Sequence, residues 1–267
     1  MNTAVKQSES PFLEERQRAN KSSEESRVSI VIPCFNESES VENLAKRLEV
    51  AIVDFPQTAI EFVLVDDGST DDTRERLKEA FADFESVQIL SDGINRGVMG
   101  AILHGIAHAQ FPIVCSMDSD CTYAPEDIQK LLDQLDEETS MVIGSPYHRL
   151  AKVFNIPAWR IQLSKFANRL YRFLLKPKLT CYTSCFRAYR REHVVPIELN
   201  ENGYAGTVEM VWALESLPKK IVECPVDLNV RKFGESKLKL IPVVRKHLTL
   251  MFAIAIRKIL NQKHSKR

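Results

Sequence analysis

Along residues 28–145, short runs of mostly apolar, often β-branched residues alternate with longer stretches whose apolar positions recur every three or four residues. The runs at 28–33, 60–66, 87–91, 112–117 and 141–145 are nearly continuous, as expected of strands covered on both faces. Between them the helical period returns. Ser38 precedes Val41, Leu44, Ala45, Leu48 and Ile52, and Thr70 precedes Leu77, Ala80, Phe81 and Phe84, each set falling on one helix face. Residues 97–109 and 125–135 complete the series, the second opening on Pro125 with acids in its first turn. Repeated βαβ units predict an α/β fold built on an open, doubly wound, mainly parallel sheet. Such sheets bind ligands beyond the carboxyl ends of their strands. The residues there are Cys34-Phe35-Asn36-Glu37, Asp67-Gly68-Ser69-Thr70 and Asp118-Ser119-Asp120.

Downstream of Gly144 the pattern changes. Residues 159–175 read as a helix with Ile161, Phe166, Leu170 and Phe173 or Leu174 apolar, and Arg160, Ser164, Asn168 and Arg172 recurring every four residues. That polar stripe suits either an anionic ligand or plain solvent. Pro242 opens a second helix whose apolar stretch, 248–256, is bracketed by Arg245, Lys246, Arg257 and Lys258. Nine residues fall short of the roughly 20 that cross a bilayer. The helix is therefore expected at a membrane interface, against its own domain, or against a second copy or a membrane-protein partner. Residues 1–27 are polar and predict a flexible tail. The expected organisation is this tail, a domain over 28–236 with halves 28–145 and 146–236, and a basic, apolar C-terminal helix over 237–267.

Charge sharpens the division. The chain of 267 residues balances 36 Lys+Arg against 36 Asp+Glu. Residues 28–148 nevertheless hold 23 acidic and 7 basic side chains, residues 149–191 hold 11 basic and no acidic ones, and residues 231–267 hold 11 basic against Glu235 alone. One half suits a cation and the other suits anions. Zero net charge and the lack of a helix-turn-helix, zinc-finger or RNP-like signature argue against nucleic acid. Six scattered cysteines without a CxxC pair predict reduced thiols and a cytoplasmic setting, peripheral to the membrane face if the C-terminal helix meets lipid.

Asp118 and Asp120 are one residue apart, a spacing that turns both carboxylates to one side at a strand end. Mg²⁺ or Mn²⁺ would relieve their repulsion and join them to phosphate oxygens. In series, Ser29-Ile-Val-Ile-Pro-Cys-Phe-Asn-Glu37, Val65-Asp-Asp-Gly-Ser-Thr70, Asn95-x-Gly97, Asp118-x-Asp120 and Gly234-Glu-Ser-Lys237 resemble family 2 glycosyltransferases of the GT-A fold. Over roughly 28–240 they look in particular like dolichyl or polyprenyl phosphate sugar synthases. The resemblance implies a UDP- or GDP-linked sugar donor, with Pro33, Glu37, Asp66, Asp67 and Gly97 around the nucleoside and Asp118 and Asp120 on the metal. It also implies that 28–145 is the nucleotide-sugar half and 146–236 the acceptor half, that Arg160 and Arg231, Ser236 and Lys237 help hold phosphates, and that a lipid phosphate is a candidate acceptor.

The chain departs from that pattern on the acceptor side. It reads Gly144-Ser145-Pro146 where such synthases carry Gly-Ser-Arg, and Cys181-Tyr-Thr-Ser-Cys-Phe-Arg187 where they tend to read Asp-x-Thr-Ser-Gly-Phe-Arg. Thr122 stands where relatives often place Gln. The expected chemistry is inverting, metal-dependent glycosyl transfer. A phosphate acceptor is already ionised, whereas a hydroxyl acceptor would need a general base, for which Glu209 is the candidate. A non-catalytic nucleotide-sugar-binding scaffold is the alternative outside enzymology.

Overall fold

The computed structural model describes residues 27–53, 55, 59–231, 233 and 240–264. Among the described residues seven strands form one sheet: β1 (Arg27–Cys34), β2 (Ala59–Asp66), β3 (Val87–Leu90), β4 (Ile113–Ser116), β5 (Thr139–Ser145), β6 (Arg187–Arg190) and β7 (Lys220–Pro225). Their order is β3-β2-β1-β4-β6-β5-β7. β6 runs antiparallel to both neighbours, and the other pairings are parallel. The helices are α1 (Val41–Val53), α2 (Thr73–Ala80), α3 (Val98–His108), α4 (Ile128–Leu132), α5 (Ala158–Leu174), α6 (Arg191–Val194), α7 (Tyr204–Leu214) and α8 (Leu240–His264), with a 3-10 turn at Pro125–Asp127.

The side-chain alternation of a strand explains the two cores. Val28, Ile30, Ile32 and Cys34 of β1 point to one face, where they join Leu44 and Leu48 of α1 and Leu77 of α2. Val31 points to the other face, with Met99 and Ile102 of α3, Val208 and Val211 of α7, and Leu250 and Ile254 of α8. Gly105 lets α3 approach closely, because a Cβ there would sit 2.4 Å from Val31 Cγ1. The strand order reverses between β1 and β4, so the loops leaving these neighbouring strands diverge and open a crevice.

α5 differs from the sequence expectation. Asn168 and Tyr171 are buried, whereas Phe166 and Phe173 are 60% and 75% exposed. The inward face joins Tyr171 to the core and admits Asn168, which has partners there. Asn168 Oδ1 accepts from the Tyr182 N–H at 2.6 Å, and its Nδ2 donates to the Ser164 carbonyl at 2.9 Å. The four-residue stripe is thus split, with Ser164 and Asn168 turned inward and Arg160 and Arg172 exposed. All six cysteines are free.

Candidate active site

Below the crevice lies a cavity of about 410 Å³. The end of β1 and the loop after it contribute Pro33, Cys34, Phe35 and Glu37, the loop after β4 contributes Asp118, Ser119, Asp120 and Thr122, and α5 contributes Arg160. Asp67, Asn95, Gly97, Tyr204, Asn229 and Arg231 complete the polar and backbone lining.

On the β2 side, Asp67 fixes the start of α3. Its two oxygens accept the backbone N–H groups of Arg96 at 2.6 Å and Gly97 at 2.8 Å, and the Asn95 amide donates to its carbonyl at 3.0 Å. Burial pushes the Asp67 carboxyl up, and the two backbone donors oppose the shift. Gly97 has φ +77°, and a Cβ there would meet the Asn202 carbonyl oxygen at 3.0 Å. The positive φ calls for glycine, and the close carbonyl leaves little room for a side chain. Asp66 is turned away from the cavity, with its oxygens accepting from the Ser69 N–H at 3.0 Å and the Ser91 hydroxyl at 2.6 Å. It braces the loop that carries Asp67.

The acidic floor holds Glu37, Asp118 and Asp120. Burial pushes the Asp118 carboxyl well above the ordinary carboxylate range, and the charges of Asp120 and Glu37 push it further. Burial also raises Glu37, against the pull of Arg231. Arg231 is the cation set into this floor. It forms an ion pair with Glu37, donates to Ser40 Oγ at 3.2 Å and stands 3.9 Å from Asp120. Among the described residues no group of three or more His, Cys, Asp or Glu side chains converges as a metal cage. A pair of hard oxygen donors beside open space fits Mg²⁺ or Mn²⁺, which keep waters and share coordination with substrate phosphates. Asp118 and Asp120 are the side chains that would hold such an ion.

Glu209 is a correction. It lies in α7 and lines a different cavity. Its carboxylate accepts from the Asn200 N–H at 3.0 Å, the Asn200 amide at 2.9 Å and the Glu201 N–H at 2.8 Å, which commits it to holding that loop. The same loop presents the Asn202 carbonyl to the Met99 and Gly100 N–H groups at the start of α3. Glu209 therefore braces the cavity wall from behind and is no base for an acceptor. Ser236 and Lys237 lie outside the described residues.

Tyr204 escaped the sequence reading, since nothing in the local pattern singles out the first residue of a buried helix. Burial holds its hydroxyl far above the usual phenol range. Together with Arg160 it joins the acidic cavity to an apolar groove of about 440 Å³ between α5 and α8, which Leu163, Phe166, Val244 and Leu248 also line. Arg160 is exposed at this junction and lies over the Trp159 ring, 5.3 Å from its centroid.

Residues 29–195 match the model of the family described as glycosyl transferase family 2. The chain is 33% identical over 219 residues to polyprenol monophosphomannose synthase of Mycolicibacterium smegmatis, covering 79% of this chain and 81% of that protein. It is 33% identical over 216 residues to dolichol-phosphate mannosyltransferase of Pyrococcus furiosus, covering 80% of this chain and 59% of the relative. Among solved structures, glucosyl-3-phosphoglycerate synthase from Mycobacterium tuberculosis, in complex with Mn²⁺, UDP-glucose and phosphoglyceric acid, superposes with a TM-score of 0.61. That match has 18% identity and covers 96% of this chain and 86% of the other. With its acidic crevice at the switch point of a GT-A sheet, the chain belongs to glycosyl transferase family 2 and is a glycosyltransferase.

Proposed function

We propose that the protein transfers a sugar from a nucleoside diphosphate donor to an isoprenoid phosphate, with inversion at the anomeric carbon and dependence on a divalent cation. The observation that carries this reading is the junction at Arg160 and Tyr204, where a charged cavity suited to a diphosphate meets an apolar groove suited to a prenyl chain. The names of the two relatives, a polyprenol monophosphomannose synthase and a dolichol-phosphate mannosyltransferase, support the same acceptor class.

In this reading Pro33, Phe35, Glu37, Asp67 and Gly97 surround the nucleoside, where carboxylates accept from ribose hydroxyls and base N–H groups. When bound through Asp118 and Asp120, Mg²⁺ or Mn²⁺ supplies Lewis-acid neutralisation of the diphosphate. Arg231 adds a fixed positive charge beside Asp120. Arg160 holds the acceptor phosphate, for which a guanidinium fork is well shaped. An acceptor oxygen attacks the anomeric carbon from the face opposite the diphosphate. The new C–O bond forms as the old one breaks, and its electron pair leaves with the nucleoside diphosphate. The attacking phosphate is already ionised, so no base is required, in keeping with the engagement of Glu209 elsewhere.

The test is calorimetric titration with UDP- and GDP-sugars, with and without Mn²⁺, followed by transfer assays on polyprenyl phosphate. One donor should bind only with metal, and its sugar should appear on the lipid. A folded protein that binds no donor would sink the enzymatic reading. Donor binding with transfer to hydroxyl compounds, and none to prenyl phosphates, would overturn the acceptor class alone.

A further inference from the structure

Among the described residues, Arg160 and Tyr204 are the side chains that line both the acidic cavity and the apolar groove. Arg160 already has a part in the proposed reaction, and Tyr204 has none. The place of Tyr204 is fixed from behind. Its carbonyl accepts from the Thr207 hydroxyl at 2.7 Å, the Thr207 carbonyl accepts from the buried Arg187 guanidinium at 2.8 Å, and its ring packs on the core that contains Met99 and Val208. Ser164, Thr183 and His247 also line the groove, but they are committed to neighbours inside the protein. Ser164 and Thr183 accept from Asn168 Nδ2 at 3.4 and 3.5 Å, and His247 Nδ1 lies 2.8 Å from the Tyr171 hydroxyl. The Tyr204 hydroxyl has no hydrogen-bond partner among the described residues. Burial, and then the charges of Asp118, Asp120 and Glu37, hold its proton on. A half-buried phenol on a cavity wall, protonated and without a protein partner, is a neutral donor open to a ligand.

The stereochemistry of the acceptor selects the atom it meets, an argument that rests on the isoprenoid phosphate reading. A phosphate monoester carries three terminal oxygens, of which one attacks and two remain to be held. The junction offers two donors of different kinds. The Arg160 guanidinium supplies charge. A phenol beside it adds direction without a second full charge to draw electron density from the nucleophile. A prenyl alcohol has one oxygen, the attacking one, and leaves nothing further for the pair to hold. We propose that the Tyr204 hydroxyl donates a hydrogen bond to a non-attacking oxygen of the acceptor phosphate and, with Arg160, selects a monophosphate over an alcohol where the groove meets the cavity.

The test is calorimetric titration of the full chain with a water-soluble, short-chain prenyl phosphate and with the prenyl alcohol of the same chain, comparing wild type with Tyr204→Phe. The substitution keeps the ring and its packing and removes only the hydroxyl. Wild type should bind the phosphate about tenfold or more tighter than the alcohol. Tyr204→Phe should weaken the phosphate by about tenfold and leave the alcohol within about twofold, since a structural role would weaken both alike. Donor affinity should stay within about twofold of wild type. Equal weakening of phosphate and alcohol would make Tyr204 a packing residue, unchanged phosphate affinity would release it from the acceptor, and a loss of donor affinity in place of phosphate affinity would assign it to the other substrate. Each of these overturns the inference and leaves the acceptor class standing. A wild type that binds alcohol as tightly as phosphate overturns the isoprenoid phosphate reading itself, and the role of Tyr204 falls with it.

Discussion

α1 and α5 are both amphipathic, yet they differ in what they bury and what they leave outside. In α1 the apolar residues Leu44 and Leu48 are fully buried against the sheet. In α5 the apolar residues Trp159, Phe166 and Phe173 face outward, and the buried positions are Asn168 and Tyr171. Periodicity specifies that a helix has two faces, whereas the neighbours decide which one is inside. α1 meets an apolar sheet, and α5 meets the 180–187 segment, whose Tyr182 N–H donates to Asn168 Oδ1 and whose Thr183 hydroxyl accepts from Asn168 Nδ2. The sheet side under α1 is thus a conventional apolar core with a charged mouth, whereas α5 covers an apolar core that includes one hydrogen-bonded amide, Asn168, and leaves aromatic and cationic side chains outside.

The comparison makes its largest prediction at the mouth. The double variant Asp118→Ala, Asp120→Ala should abolish transfer, by about 1,000-fold or more, and abolish the metal dependence of donor binding. Its far-UV circular dichroism should match the wild type, because these loop side chains are not core. Retained metal-dependent binding would show that the donor half does not use this pair.

On the acceptor side the effect should be smaller and selective. Arg160→Ala should lower kcat/KM for the prenyl phosphate by about 10- to 100-fold, and Arg160→Lys should recover only part of it. Donor affinity should be unchanged within about twofold in both variants, since Arg160 touches the cavity only from the α5 rim. A parallel loss of donor affinity would erase the distinction between the halves.

Legibility in the sequence followed the same division. The strands of the donor half are buried on both faces and announce themselves as apolar runs, and β1, β2 and β5 lie within two residues of the expected bounds. β6 is Arg-Ala-Tyr-Arg, four residues with no apolar run. It exists because Arg187, fully buried, donates to the carbonyls of Ser184 at 2.6 Å, Thr207 at 2.8 Å and Tyr182 at 2.7 Å, contacts that only tertiary structure supplies. Glu37, Asp67, Gly97, Asp118, Asp120, Arg160 and Arg231 do converge on one cavity, because each sits in a loop or at a helix start whose place the βαβ order dictates. Asp66 and Glu209 stand off that cavity for one reason. A carboxylate's role is set by its hydrogen-bond partners, and those partners lie 3 to 25 residues away for Asp66 and 8 to 9 for Glu209.

Glu209 offers a sharper test of the wall between the halves. Glu209→Ala leaves the Asn200 and Glu201 N–H groups without their acceptor, which should cost about 1–3 kcal/mol of stability in urea unfolding. The same loop presents the Asn202 carbonyl at the start of α3, so donor KM should rise while kcat per folded molecule changes by less than about threefold. A loss of kcat by a factor of about 100 with unchanged stability would return Glu209 to the chemistry.

The smallest effect should come from pH acting on the acidic floor. Folding raises the affinity of Asp118 for its proton, so its contribution to stability is fully present below the ordinary carboxylate range of about 4 and is lost as the pH rises towards neutrality. Asp118→Asn removes the titration and keeps the shape. In EDTA the variant and wild type should melt together at low pH, and the variant should melt roughly 2–5 °C higher at pH 8. Added Mn²⁺ should close that gap by stabilising only the wild type, because ligand binding to the folded state adds directly to its stability. If Mn²⁺ raised the Tm of Asp118→Asn as much as that of the wild type, the cation would be binding elsewhere, and the acidic floor would lose its claim as the metal end of the donor half.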